Sequence, residues 1–286
     1  MPLTEDLTFQ LGDTGIILNT DSSGLPFVDV QSVLGLDSTP YRETRREREN
    51  ADGGFMDAEF ERGRDILING DIIADSDTME TYLDSLKANY APSSTLVPFY
   101  YKAPGIDERV IYVKPLGVKY DWEQLRRTGQ AKAQFKMFAE DPRLYASVIT
   151  NTDVPFATGG SSGFGFNLGF DFGFGASSSS DGILVNNLGN RPTPALFTIT
   201  GPSDTPTIRD DTYGHSLTFA IVLGTGETLT VDTQYKTVKL NGNTNRRSSL
   251  ITPDWFYLQQ GETFLRYNAV SGANSVMNVQ FRSAWR

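Results

Sequence analysis

Ile66-Leu67-Ile68-Asn69-Gly70-Asp71-Ile72-Ile73 is the stretch on which the fold turns. Isoleucine-rich runs flank Asn69-Gly70, and branched side chains suit a pleated surface better than a helix, so both runs read as strand. Asn-Gly tolerates positive φ at both central positions of a type I′ turn, and the pattern therefore predicts a tight turn at residues 69–70, as a hairpin. Working outward, residues 6–11, 15–18 and 55–60 have the same character before it, and residues 98–102, 109–113 and 118–122 after it. Residues 131–138 place Ala133, Phe135 and Met137 on one side. Together these segments predict one antiparallel sheet system. A single helix is expected at residues 78–89, where Met79, Tyr82, Leu83 and Leu86 make an apolar stripe at three- and four-residue spacing. Asp77 followed by Glu80 has the pattern of its N-terminal cap.

Beyond residue 181 the chain is more uniformly β. Residues 195–200, 216–222, 228–232, 237–240, 263–267 and 275–282 read as short strands between Gly, Pro, Asn and Asp clusters, which is the signature of a sandwich. Asn241-Gly242 marks a tight turn after residues 237–240. The fold class is thus mainly β, all-β with one helix. Between the halves, Phe164, Phe166, Leu168, Phe170, Phe172 and Phe174 fall at every second position, with small or polar residues in the other register. That is strand period, and it reads either as a Gly-rich core strand or as an inter-domain arm docking on its own or a neighbouring subunit. By composition the domains are residues 1–158, a Gly/Phe/Ser-rich arm or linker at 159–181, and residues 182–286.

The 286 residues carry 25 basic and 35 acidic side chains, a net charge of −10, and no cysteine. An acidic surface opposes whole-surface binding of nucleic acid, and without cysteine there are no disulfides, thiolate metal sites or cysteine nucleophile. Met1-Pro2-Leu3-Thr4 opens no basic, apolar leader, no apolar run is long enough to span a bilayer, and no membrane association is expected. The charge is uneven: residues 1–150 hold 16 basic and 25 acidic groups, residues 151–286 nine and ten.

Catalytic patterns are lacking. The lone His215 has no partner histidine at metal-binding spacing, and as a histidine in a turn it is expected to be solvated. Gly159-Gly160-Ser161-Ser162-Gly163 spells a nucleophile elbow, but it lies in low-complexity sequence rather than between a strand and a helix. Asp71, Asp75 and Asp77 lack the Ca²⁺-loop pattern, and capping accounts for Asp77. No enzymatic activity and no cofactor or metal are expected. Trp122, Trp255 and Trp285 read mostly as core anchors rather than sugar platforms. Residues 41–50, Tyr-Arg-Glu-Thr-Arg-Arg-Glu-Arg-Glu-Asn, read either as a solvated, salt-bridged loop or as a subunit interface in which Arg42, Arg45, Arg46 and Arg48 meet acidic groups of a neighbour.

Four stretches carry a family likeness: the charged loop running through Asp52-Gly53-Gly54 to Asn69-Gly70, the helix from Met79 to Leu86, Phe138-Ala139-Glu140-Asp141-Pro142-Arg143-Leu144-Tyr145, and the tail from Leu229 through Asn241-Gly242 and Arg246-Arg247 to Trp285. In this order, around the Gly/Phe arm, they resemble the distal tail proteins of long-tailed bacteriophages, especially minor tail proteins of phages that infect actinobacteria. The resemblance implies an N-terminal β-barrel or sandwich domain that closes into a homo-hexameric ring and a C-terminal galectin-like β-sandwich projecting outward. It implies a virion protein at the tail tip, made in the host cytoplasm. Its partners would be the tail tube protein, the hub or baseplate protein and the tape measure protein, with DNA passing through the ring without specific binding. The acidic first half would then line the bore and repel phosphates, or would serve solubility alone. The alternative functions are a carbohydrate-binding tail adhesin recognising host glycan through the sandwich, and a hydrolase acting on cell-wall sugar.

Overall fold

The computed structural model describes residues 3–20, 25–56, 60–75, 77–156, 182–272 and 274–286. They divide into two compact units, Met1–Ser147 with Trp285–Arg286, and Val148–Ala284. The fold is mainly β, as the sequence indicates.

In the first unit the strand Gln130–Ala139 shows why the sheet forms. Ala131, Ala133, Phe135, Met137 and Ala139 all point into the core, while Lys132, Gln134 and Lys136 point out, at the two-residue period of a pleated strand. It pairs antiparallel along its full length with Arg64–Ile73. The antiparallel order across the sheet is Ile17–Leu18, Thr8–Leu11, Val97–Lys102, Arg109–Tyr120, Gln130–Ala139, Arg64–Ile73, Phe27–Leu34. The ends of this path meet: Asn19 N–H donates to Val28 O at 2.9 Å, and its side-chain oxygen accepts from Val30 N–H at 3.3 Å.

Asn69-Gly70 is not a turn. Arg64–Ile73 is one continuous strand, and Gly70 sits in its middle opposite an irregularity between Val30 and Ser32 of the neighbouring strand. There the partner backbone presses close, so that a Cβ on Gly70 would lie 2.4 Å from Asp29 O. Glycine is required for close approach of a bulged neighbour, a role the dipeptide rule does not distinguish from a turn. Likewise the expected break between residues 113 and 118 is internal to one strand, Arg109–Tyr120, which pairs with Val97–Lys102 through its first half and Gln130–Ala139 through its second. Pro115 and Gly117 (φ +116°) mark a bulge there rather than a strand end.

Helix α1 (Met79–Asn89) buries Met79, Leu83 and Leu86 against this sheet. After it the Tyr90 ring lies 4.7 Å from that of Phe135. The acid that holds the start of α1 is Asp75 rather than Asp77: its Oδ1 accepts from Thr78 N–H at 2.9 Å and from the Thr78 hydroxyl at 2.6 Å. Glu80 instead pairs with Arg126. The two bonds from Thr78 hold the Asp75 carboxyl below the usual aspartate value of 3.8. A depressed folded-state value means that this contribution is present above pH 3.8 and is lost as pH falls below it. Amide exchange at Thr78, relative to the middle of α1, is therefore expected to accelerate on acidification below pH 3.8 in the native chain and to be independent of pH there in Asp75→Asn.

The structure adds a second helix that the sequence reading missed, α2 (Trp122–Thr128). Asp121 caps it by accepting from Gln124 N–H at 3.0 Å, and Gly129 ends it in the left-handed conformation at φ +70°. The Asp121/Gly129 pair is the legible signal, masked by the aromatic, β-branched residues just before it.

The second unit is a sandwich. One antiparallel sheet has the order Thr150–Pro155, Val276–Phe281, Ala195–Thr200, Thr228–Asp232, Thr237–Leu240, Thr244–Asn245; the other runs Gly182–Asn187, Gly261–Asn268, Thr207–Asp210, His215–Phe219, Leu250–Pro253. Phe197, Ile199, Val231 and Val279 from the first meet Val185, Ile208, Leu217 and Leu265 from the second in one core. The Tyr267 hydroxyl is buried 2.8 Å from Ser203 Oγ and 2.9 Å from Ser275 Oγ. The turn at Asn241-Gly242 is present: both residues have positive φ, and Asn243 N–H donates to Leu240 O at 3.2 Å.

Candidate functional site

The charged run at residues 41–50 is the outgoing half of an arm. Tyr41–Arg42 pairs with Phe60–Glu61, and Arg45–Glu47 pairs with Gly54–Met56. Arg48 N–H donates to Gly53 O at 3.1 Å where the chain reverses, and Gly53 takes φ +95°. Every residue from Pro40 to Met56 is exposed, as is Phe60. A two-stranded ribbon without a core is marginal in water. Its exposed ion pairs, such as Arg45–Glu43 at 2.6 Å, add little.

The sequence reading put Arg42, Arg45, Arg46 and Arg48 in one cluster, and the structure places all four on this arm. What it missed are their apolar companions. Phe55 is 59% exposed and Phe60 57%, with Met56 and Tyr41 also open. The Arg48 guanidinium lies 4.8 Å from the Phe55 ring centroid, and that of Arg42 lies 5.6 Å from Phe60. The arm thus displays cations over aromatic faces to solvent. The signal was the flanking of Asp52-Gly53-Gly54 by a charged run on one side and Phe55-Met56 on the other, which residues 55–60 read as a single strand obscured.

The root of the arm is built differently. Arg64 is 1% exposed. Its Nη1 donates to Gly35 O and Leu36 O, both at 3.1 Å, and its Nη2 to Thr39 Oγ1 at 2.7 Å. Burial lowers its pKa, opposed by Tyr101, Asp37 and Asp141. The loop it grips needs Gly35, which holds φ +90° with its Cβ direction 2.0 Å from Asp65 O. One rung out, Glu61 pairs with Arg286 at 3.0 Å, and the Arg286 guanidinium lies 5.0 Å from the Tyr41 ring centroid.

Phe164, Phe166, Leu168, Phe170, Phe172 and Phe174, the candidate arm between domains, lie outside the described residues, as does the Gly159–Gly163 motif. His215 opens a strand instead of lying free in a turn. Its Nδ1 is 2.9 Å from Asp254 Oδ2 and its ring stacks on Phe256. Trp255 and Trp285 pack partly buried against the two cores, whereas Trp122 is exposed beneath the Arg126 guanidinium. Among the described residues no three His, Asp or Glu side chains are grouped to hold a metal ion, and no helix is long and apolar enough to cross a membrane.

Residues 188–285 match the family described as siphovirus-type tail component, C-terminal domain. No curated protein sequence matches the chain. Among solved structures, the Dit protein of phage SPP1, described as a paradigm of the hub adsorption apparatus in Gram-positive infecting phages, superposes with a TM-score of 0.67 at 16% identity, covering 99% of this chain and 100% of that one. A chain of the phage P2 baseplate in its activated conformation with Ca gives 0.51 at 10% identity, covering 96% of this chain and 97% of that one. Its counterpart with Sr gives 0.50 at the same identity and coverage. Residues 188–285 are thus similar to the siphovirus-type tail component, C-terminal domain, and the chain as a whole shares the fold of the SPP1 Dit protein.

Proposed function

We propose that this chain is a structural, non-enzymatic component of a phage tail tip. Six copies close into a ring that joins the tail tube to the hub or baseplate protein and lets DNA pass, with the tape measure protein a further neighbour and the virion its place of residence. The observation that carries the reading is the arm formed by residues 40–56 and 60–62. It displays Phe55, Met56 and Phe60 beside Arg42 and Arg48, outside any core of its own unit. An exposed ribbon of this kind gains its stability from a second copy. A head-to-tail contact between unlike surfaces, repeated through a closing rotation, makes a ring. The acidic surplus of residues 1–150 supports a bore on which DNA slides.

The test is reversal of the arm's charge. Arg42→Glu, Arg45→Glu, Arg46→Glu and Arg48→Glu together are expected to weaken self-association at least tenfold in sedimentation velocity. Far-UV circular dichroism should not change, because all four positions are exposed. Association equal to that of the native chain would overturn the arm as the subunit contact.

A further inference from the structure

The arm's direction is set by residues far from it in sequence. Tyr41 and Glu61 are cross-strand partners at the arm's first rung. Arg286 touches both: its Nε donates to Glu61 Oε1 at 3.0 Å, and its guanidinium plane lies 5.0 Å from the Tyr41 ring centroid. The Glu61 side chain is only 9% exposed, so the contact sits at a nearly closed position, unlike the ion pairs farther out. Arg286 is in turn held by Trp285, which packs against the first core with the Arg109 guanidinium 4.3 Å from its ring centroid. Arg64 fixes the loop from Gly35 to Thr39 but reaches no farther. Beside the backbone bond from Arg62 N–H to Pro40 O at 2.8 Å, Arg286 clamps both side chains of the rung itself.

We propose that Trp285 and Arg286 are positioning residues that aim the arm, a proposal that rests on the arm being the subunit contact. From the rung at Tyr41 to the turn near residue 50 the ribbon is about 30 Å long, so a tilt of about 20° at the root moves the tip about 10 Å, two strand spacings. The chain reaches residues 285–286 only after building Val148–Ala284. A subunit whose second unit is unfinished therefore lacks the clip and presents a misdirected arm, which makes assembly conditional on completion of both units. Arginine suits the role because one rigid, planar group can donate to a carboxylate and stack on a ring at once.

The chain has no cysteine, so spin labels can be placed at Asp52→Cys in the turn and Ser85→Cys on the exposed face of α1. In the full chain, diluted to the monomer, the distance between them is measured by double electron–electron resonance. Arg286→Ala is expected to widen the distance distribution at least twofold, and the exchange Glu61→Arg with Arg286→Glu to narrow it again. An unchanged width in Arg286→Ala overturns the clip. A widened distribution with native self-association in sedimentation retains the clip as the arm's anchor and instead overturns the arm as the subunit contact.

Discussion

Arg64→Ala is expected to remove about 4 kcal/mol from the stability of the first unit, with a residual loss below about 1 kcal/mol contradicting the account. The side chain is closed to solvent and donates three hydrogen bonds, two of them to main-chain carbonyls of Gly35 and Leu36 and one to Thr39. Hydrogen bonds to a charged group are worth about 1.5–3 kcal/mol each, although the three are not additive. Removal also leaves the partly buried Gly35 and Leu36 carbonyls without that donor and opens a void. Arg64→Lys should recover little, because a single ammonium cannot reproduce the fork that reaches two carbonyls and a hydroxyl together. Urea unfolding followed by circular dichroism measures both, and the loop before the arm should be the first segment to gain protease sensitivity.

Phe197→Ala should cost the second unit about 4 kcal/mol and leave the first unchanged. Phe197 is fully buried at the centre of the six-stranded sheet, between Val231 and Val279 on the flanking strands. Its ring centroid is 5.9 Å from that of Phe256. Strands on both sides hold the backbone in place, so the site cannot collapse around the missing ring and the cavity term is large. The two units have separate cores. Calorimetry should accordingly show one transition moved to lower temperature, and an equal shift of every transition would contradict independent cores.

The β class, the α1 stripe and the Asn241-Gly242 turn were legible because each follows from local chemistry: alternation, helical spacing, and a dipeptide that accepts positive φ. Asn69-Gly70 carries the same dipeptide and means something else. What distinguishes the two positions is a neighbouring strand 40 residues upstream, where Asp29 and Val30 press on Gly70. No local rule contains that contact. Helix α2 is short, seven residues, and its two caps were outweighed by the β-forming residues ahead of it. At the arm, the four arginines stood out as a charge run, but Phe55 and Phe60 did not, since exposed aromatics look like core residues until burial is known. Arg64 and Arg286 were invisible for a related reason: a buried or clamping arginine is defined by partners 25 to 29 and 225 residues away, and residue type alone reads both as surface charge.

We propose that this fold, with its arm, closes into a ring. Electron microscopy of single particles of the purified chain, with the particle mass measured on the same sample, tests it most directly. Six subunits of 31.6 kDa predict a six-fold ring of about 190 kDa with an open centre, each arm lying on the next subunit. A monomer that persists as the concentration is raised, or a closed particle with the arms pointing free into solvent, would contradict it.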